Sequence, residues 1–74
     1  MSISYNKLWK LLIDKSMKKK DLMNLAELST STLAKMGKNQ QVSMDVILRI
    51  CKVLECNVGE IMDVIQEDEE KSNK

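Results

Sequence analysis

Histidine, proline and phenylalanine are absent from this chain of 74 residues, and glycine and cysteine occur only twice each. Two cysteines without histidine cannot complete the four-ligand site of a structural zinc ion. They are also too few for the disulfide framework of a small secreted scaffold. Leu, Met, Lys and Glu, which favour helices, dominate instead. The composition therefore predicts a helical domain that binds no metal and needs no cofactor.

Long apolar runs are missing as well. No stretch approaches the roughly 20 apolar residues of a membrane span, and the first residues, MSISYNKLWK, lack the pattern of a signal peptide. Tyr5 and Trp9 are the only aromatic residues, which argues against a surface that stacks on bases. A chain this short forms one domain at most. We therefore expect a single cytoplasmic domain with reduced thiols and no membrane partner.

The charges are distributed unevenly along the chain. Residues 1–38 carry eight lysines against three acidic residues, a net charge of +5. Residues 39–74 carry four basic against eight acidic residues, a net charge of −4. Such an asymmetry indicates that the first half meets a polyanion. The alternative is two solvated faces of opposite charge.

Apolar spacing and capping residues together predict five helices. Four of them span about 5–14, 18–26, 30–36 and 44–54, and the fifth begins after Asn57. The polar end of the chain predicts a disordered acidic tail. We therefore expect an all-α fold, a compact five-helix bundle in residues 1–65, followed by a tail in residues 66–74.

Capping residues mark several of the predicted helix ends. Ser29, Ser43 and Asn57 suit N-cap positions, because their short side chains can accept a bond from a free backbone N–H group. Gly37 suits the left-handed position that closes the third helix. The resulting connection between the second and third helices is only three residues long, 27–29.

Two short helices joined by a three-residue turn fit a helix-turn-helix, whose second helix enters the DNA major groove by its N-terminal end. The hydroxyl groups at the start of the third helix can meet base edges. The lysines at the start of the second helix lie where such units contact phosphate. The predicted DNA-contacting residues are Lys18, Lys19, Lys20, Ser29, Thr30, Ser31, Thr32, Lys35, Lys38, Asn39 and Gln40.

The stretch KKKDLMNLAELSTSTLAKMGKNQQVSMDVILRICKVLECNVGEIMDVI resembles the Cro/repressor-type helix-turn-helix proteins, the Xre family. The resemblance covers roughly residues 5–65. It implies a lambda-repressor-like bundle, double-stranded operator DNA as the ligand, and often a homodimer. Two positions depart from the family pattern: Glu27 stands where the turn usually has glycine, and Met23 where a small residue is usual.

Several of these features have plainer explanations. The hydroxyl groups at the start of the third helix suit any helix start, and the lysine run 18–20 can be a solvated face. Extra apolar residues beside the core stripes, Trp9, Val46 and Val53, indicate a homodimer interface or merely cover the core edge. Cys51 is expected to be a small buried apolar residue, with a redox role as the alternative.

The function that these features favour is sequence-specific DNA binding by a small transcriptional regulator, with repression by occupancy of an operator. The alternative is a protein-interaction module on the same fold, such as an antitoxin-like or anti-repressor partner. An enzyme is disfavoured, because the chain has no histidine and no glycine-rich phosphate loop, and a cysteine nucleophile would have only lysine as a base.

Overall fold

Four α-helices, one 3₁₀ turn and a two-stranded sheet make up residues 2–66, the part of the chain that a computed structural model describes. The elements in chain order are β1 (Ser2–Ser4), α1 (Asn6–Asp14), α2 (Lys19–Leu25), α3 (Thr30–Gly37), α4 (Met44–Leu54), the 3₁₀ turn Val58–Glu60, and β2 (Asp63–Ile65). The predicted bounds of the first four helices agree with these to within one residue at each end.

The prediction of a fifth helix is wrong, and with it the prediction of an all-α bundle. After Asn57 the chain makes only the 3₁₀ turn and then enters β2, which pairs antiparallel with β1 in the register Ser2↔Ile65 and Ser4↔Asp63. A short segment with Gly59 and several β-branched residues forms a poor helix. Pairing with β1 gives its backbone groups the partners that a helix would otherwise supply.

The core lies where the inner faces of the helices meet the end of the chain. Ile61, which follows the 3₁₀ turn, is fully buried, and it anchors that turn against the helices. Lys7 holds the same region from outside, since its ammonium donates to the carbonyl oxygen of Gly59 and pairs with Asp63 at 3.2 Å. The buried residues are Tyr5, Leu8, Leu12, Leu22, Ala26, Leu28, Met36, Val46, Ile47, Ile50, Leu54 and Ile61.

The end of α3 differs from the sequence prediction. Gly37 does not take the left-handed conformation; it is the last helical residue, and Asn39 has the positive φ of 58° instead. Asparagine tolerates this conformation better than most residues, because its short polar side chain can bond locally. The helix is therefore one residue longer than predicted, and its exit is shaped by Asn39.

The predicted tail 66–74 lies outside the described residues, apart from Gln66. Gln66 is exposed. Within residues 2–66, no helix is both long and apolar enough to cross a membrane.

Candidate nucleic-acid interface

Helices α2 and α3 pack together and are joined by a turn that runs from Ala26 to Ser29. Glu27 in this turn has a φ of 57°, a left-handed conformation, at the position where the resembled family usually has glycine. Leu28 is buried, and its N–H group donates to the carbonyl oxygen of Met23 at 2.9 Å. The buried leucine and the left-handed residue before it set the direction in which α3 leaves the turn.

The start of α3 is capped by Ser29, as the sequence predicted. Its hydroxyl oxygen accepts a bond from the N–H group of Thr32 at 3.1 Å, and the same hydroxyl donates to Thr32 Oγ1 at 2.9 Å. The hydroxyl of Ser31 lies 3.2 Å from that of Ser29. These bonds keep the first turn of α3 helical and hold three of its polar side chains in one local network.

One face of α3 is buried and the opposite face is open. Met36 is fully buried, whereas Thr30, Ser31 and Ala34 are exposed. At 100° per residue, Ala34 lies about 160° around the helix from Met36, so it is the centre of the open face. Sequence reasoning missed Ala34 because it searched for polar groups, although the spacing from Met36 already marks this position as outward.

A shallow groove runs between the two helices of this unit. The residues that line it are Lys19, Lys20, Met23, Thr30, Leu33, Ala34 and Gly37. Two of the predicted phosphate-contacting lysines and the first predicted base-contacting residue, Thr30, therefore share one open surface. Leu33 is half-buried in this groove, and Met36 takes the core position of α3.

The three lysines at the start of α2 are exposed but differ in what they contact. The N–H group of Lys18 donates to the carboxylate of Asp21 at 2.9 Å, which caps α2. An acidic group in the first turn also opposes the unfavourable effect of nearby cations on the helix dipole. The ammonium of Lys19 lies 4.4 Å from the centre of the Trp9 ring, a cation–π contact that joins α1 to α2.

The side chain of Arg49 on α4 stabilises the turn between α2 and α3 by hydrogen bonds to its backbone. Its Nη1 atom donates to the carbonyl oxygen of Glu27 at 2.9 Å and to that of Ala26 at 3.3 Å. Its Nε atom lies 3.1 Å from the carboxylate of Asp45. Sequence reasoning missed Arg49. The one available signal is that it is the only arginine among twelve basic residues, and a guanidinium has several nitrogens that can contact different partners at once.

This geometry agrees with the comparisons with known proteins. A family model described as the Cro/C1-type helix-turn-helix DNA-binding domain matches residues 7–67. The chain belongs to this family. The chain is also similar to a crystal structure of the transcriptional regulator VanUg, with 52% sequence identity, a TM-score of 0.86, and coverage of 89% of this chain and 88% of that chain. A search of curated proteins finds no match.

The Cro/C1-type domain of this chain places the remaining predicted contact residues in the last turn of α3 and the loop that follows it. Lys35, Lys38, Asn39 and Gln40 are all exposed. The last two have partners within the chain, since the N–H group of Tyr5 donates to the side-chain oxygen of Asn39 at 3.1 Å and the Tyr5 hydroxyl donates to the backbone oxygen of Gln40 at 3.0 Å. Their main visible role is to hold the loop after α3 against Tyr5.

The residues predicted for a homodimer interface do not form an open apolar surface. Val46 is only 7% exposed and belongs to the core, because α4 packs this side against the rest of the bundle. Trp9 and Val53 are half-buried and pack against the core. Exposed large apolar side chains lie elsewhere, among them Leu25 at the end of α2 and Leu48 on α4, each 61% exposed.

In the region 2–66, no cluster of three or more Cys, Asp or Glu residues is arranged to hold a metal ion.

Proposed function

We propose that this protein is a transcriptional regulator that binds specific DNA sequences through α3. The observation that carries the proposal is the groove on which Thr30 and Ala34 of α3 lie beside Lys20 of α2, within a Cro/C1-type domain. Ser31, next to Thr30 on α3, is also exposed. The similarity to VanUg, a transcriptional regulator, supports the regulatory role. Short side chains on the outward face allow α3 to enter the major groove deeply.

The side chains on this surface have different roles in the proposed complex. Hydroxyl groups of Thr30 and Ser31 donate to or accept from base edges, and the methyl group of Ala34 suits contact with the methyl group of thymine. The ammonium groups of Lys20 and Lys35 contact phosphates, which position the domain without reading sequence. Thr32 acts through the cap with Ser29 rather than as a free reader of bases.

Repression and a homodimeric state are also part of the proposal. The described residues form one DNA-binding domain and leave no second folded unit in residues 2–66, so occupancy of an operator is the simplest way for this part of the chain to act. Helix-turn-helix proteins of this type usually bind two-fold operators as two-fold dimers. Sedimentation of the protein with and without its selected operator tests the second point: a single protomer on the operator contradicts it.

Salt-dependent binding to duplex DNA tests the proposed surface. The affinity of the purified chain for a random-sequence duplex is measured by fluorescence anisotropy over a series of salt concentrations. Each phosphate contact contributes a slope of about −0.9 to the plot of log affinity against log salt. Lys20→Ala and Lys35→Ala are each expected to reduce the magnitude of that slope by about 1.

Lys10→Ala is the matched control. Lys10 is an exposed lysine that lines a different groove, with Gly59 and Glu60, so its removal is expected to leave the slope nearly unchanged. Equal effects of Lys10→Ala and Lys20→Ala contradict the assigned surface. Sequence specificity is tested by selecting duplexes from a random pool, where Ser31→Ala is expected to change the preferred bases and Lys20→Ala is not.

A protein-interaction module is the second candidate function. Met44 and Leu48 lie one turn apart on α4 and are 64% and 61% exposed, more than is usual for large apolar side chains. This observation favours a protein partner on α4. The salt series separates the candidates, since absence of DNA binding even at low salt leaves the α4 surface as the functional site.

A further inference from the structure

The end of α4 brings the two cysteines of the chain side by side. Glu55 takes the left-handed conformation, with φ and ψ both 54°, and reverses the chain. The N–H group of Cys56 then donates to the carbonyl oxygen of Cys51 at 3.0 Å. Helix ends of this type usually bring the side chains at these two positions into contact. Here both positions are cysteine.

The surroundings of the two thiols support their contact. Both side chains are half-buried and pack against the core. The pKa of the Cys56 thiol is raised, first by burial, then by the charge of Cys51 and a hydrogen bond with its side chain; Glu60 raises it further, and Lys15 opposes the shift. The backbone bond from Cys56 to Cys51 is the geometric observation that brings the two residues together.

We propose that Cys51 and Cys56 form a redox modification site, at which a small-molecule disulfide such as glutathione disulfide converts them to an intramolecular disulfide. The backbone bond between the two residues holds their Cα atoms close, as a disulfide requires. The half-exposure of both side chains leaves them accessible to a small molecule. Neither cysteine has a role in the DNA-binding surface described above.

The reaction is a thiol–disulfide exchange in two steps. The thiolate of one cysteine attacks a sulfur atom of glutathione disulfide, which forms a mixed disulfide and releases one glutathione thiolate. The thiolate of the other cysteine attacks the protein sulfur of this mixed disulfide and releases the second glutathione. The two protein thiols lose two electrons and two protons, and glutathione disulfide takes them up to become two molecules of glutathione.

The two cysteines lie away from the proposed DNA surface, so we expect their oxidation to affect stability rather than DNA contact. Cys51 follows Arg49 by two residues, so the two side chains leave α4 about 160° apart. The disulfide therefore closes the far side of α4 onto the segment that leads to the 3₁₀ turn and β2. We expect the oxidised chain to resist unfolding better than the reduced chain, with DNA affinity changed by less than about twofold.

The test measures disulfide formation in the folded full chain in buffers of reduced and oxidised glutathione. Peptide mapping by mass spectrometry is expected to find a Cys51–Cys56 disulfide, with little mixed disulfide at equilibrium. The equilibrium constant is expected to be about tenfold or more higher in the folded chain than in urea, because the fold holds the two thiols together. Oxidation is expected to become faster as the pH rises, since the thiolate is the attacking species.

The single variants Cys51→Ser and Cys56→Ser provide the matched control, because each keeps one thiol and can form only the mixed disulfide with glutathione. Two results overturn the proposal. One is stable glutathione attachment at both cysteines of the unchanged chain. The other is an equilibrium constant for the internal disulfide that is no higher in the folded chain than in urea.

Discussion

The Nη1 atom of Arg49 donates a hydrogen bond to the backbone oxygen of Glu27, 2.9 Å away. The acceptor belongs to the one left-handed residue of the turn between α2 and α3. A side chain on α4 therefore holds the turn that sets the angle between the two helices of the DNA-binding unit. The bond connects residues that are 22 positions apart in the sequence, so it couples the stability of α4 to the geometry of the proposed DNA surface.

Arg49→Lys is expected to lower both the stability and the DNA affinity of the protein. Lysine keeps the charge, but its single ammonium cannot contact Asp45 and the two carbonyl oxygens of the turn through separate nitrogens, as the guanidinium does. The side chain of Arg49 is 38% exposed, so we expect a modest loss, about 1 kcal/mol in the free energy of unfolding measured with urea. Asp45→Asn is the control, since an exposed ion pair contributes less than about 0.5 kcal/mol. Equal losses in the two variants contradict a role for Arg49 in the turn.

Glu27→Gly is expected to stabilise the protein. A residue with a side chain pays about 1 kcal/mol to adopt the left-handed conformation, and glycine does not. The increase is measured as a higher midpoint of urea unfolding at an unchanged slope. Glu27→Gln is the control, because it removes the charge and keeps the strained backbone. If Glu27→Gln raises the free energy of unfolding as much as Glu27→Gly does, the gain comes from removing the charge of Glu27 and not from relieving its φ of 57°.

Local signals predicted the helices well because the physics of a helix is local. Ser29 and Ser43 cap their helices in the structure as predicted, with bonds to N–H groups three residues on. The sheet was not predictable in this way. Its register joins Ser2 to Ile65, and no pattern within a short window indicates that two segments this far apart pair. The apolar spacing after Asn57 therefore predicts a helix where the chain forms a 3₁₀ turn and a strand.

In the candidate site too, features set by local spacing are predictable from the sequence and features set by long-range packing are not. Thr30 and Lys20 were predicted from the helix-turn-helix spacing, and the structure places both on one groove. The brace from Arg49 and the core position of Val46 depend on how α4 packs against its neighbours, and that packing is set by long-range contacts. Apolar residues beside a core stripe can be assigned to the core or to an interface only once the neighbouring helix is in place.

Gly37→Ala is expected to stabilise α3. A glycine in the left-handed closing position expected from the sequence would give the opposite result, because alanine is strained there. Gly37 is helical in the structure, and a Cβ atom added there meets nothing within 4 Å. Alanine in place of a helical glycine contributes roughly 0.5–1 kcal/mol. Thermal unfolding of the variant measures the gain. Asn39→Ala is the comparison, and it is expected to destabilise, because Asn39 is the left-handed residue and its side-chain oxygen accepts a bond from Tyr5.

Tyr5→Phe is expected to change how stability depends on alkaline pH. The buried hydroxyl donates to the backbone oxygen of Gln40, and burial raises the pKa of Tyr5 above its ordinary value of about 10. The stability that the protonated Tyr5 hydroxyl contributes is therefore complete below about pH 10, and it is lost as the pH rises towards the higher pKa of the folded state.

Phenylalanine lacks the hydrogen bond and the titration, so the variant should be less stable by about 1 kcal/mol near neutral pH. The difference between the two proteins in urea unfolding should then narrow as the pH rises above about 10. A difference that stays constant would show that the phenol has the same pKa in the folded and unfolded chains.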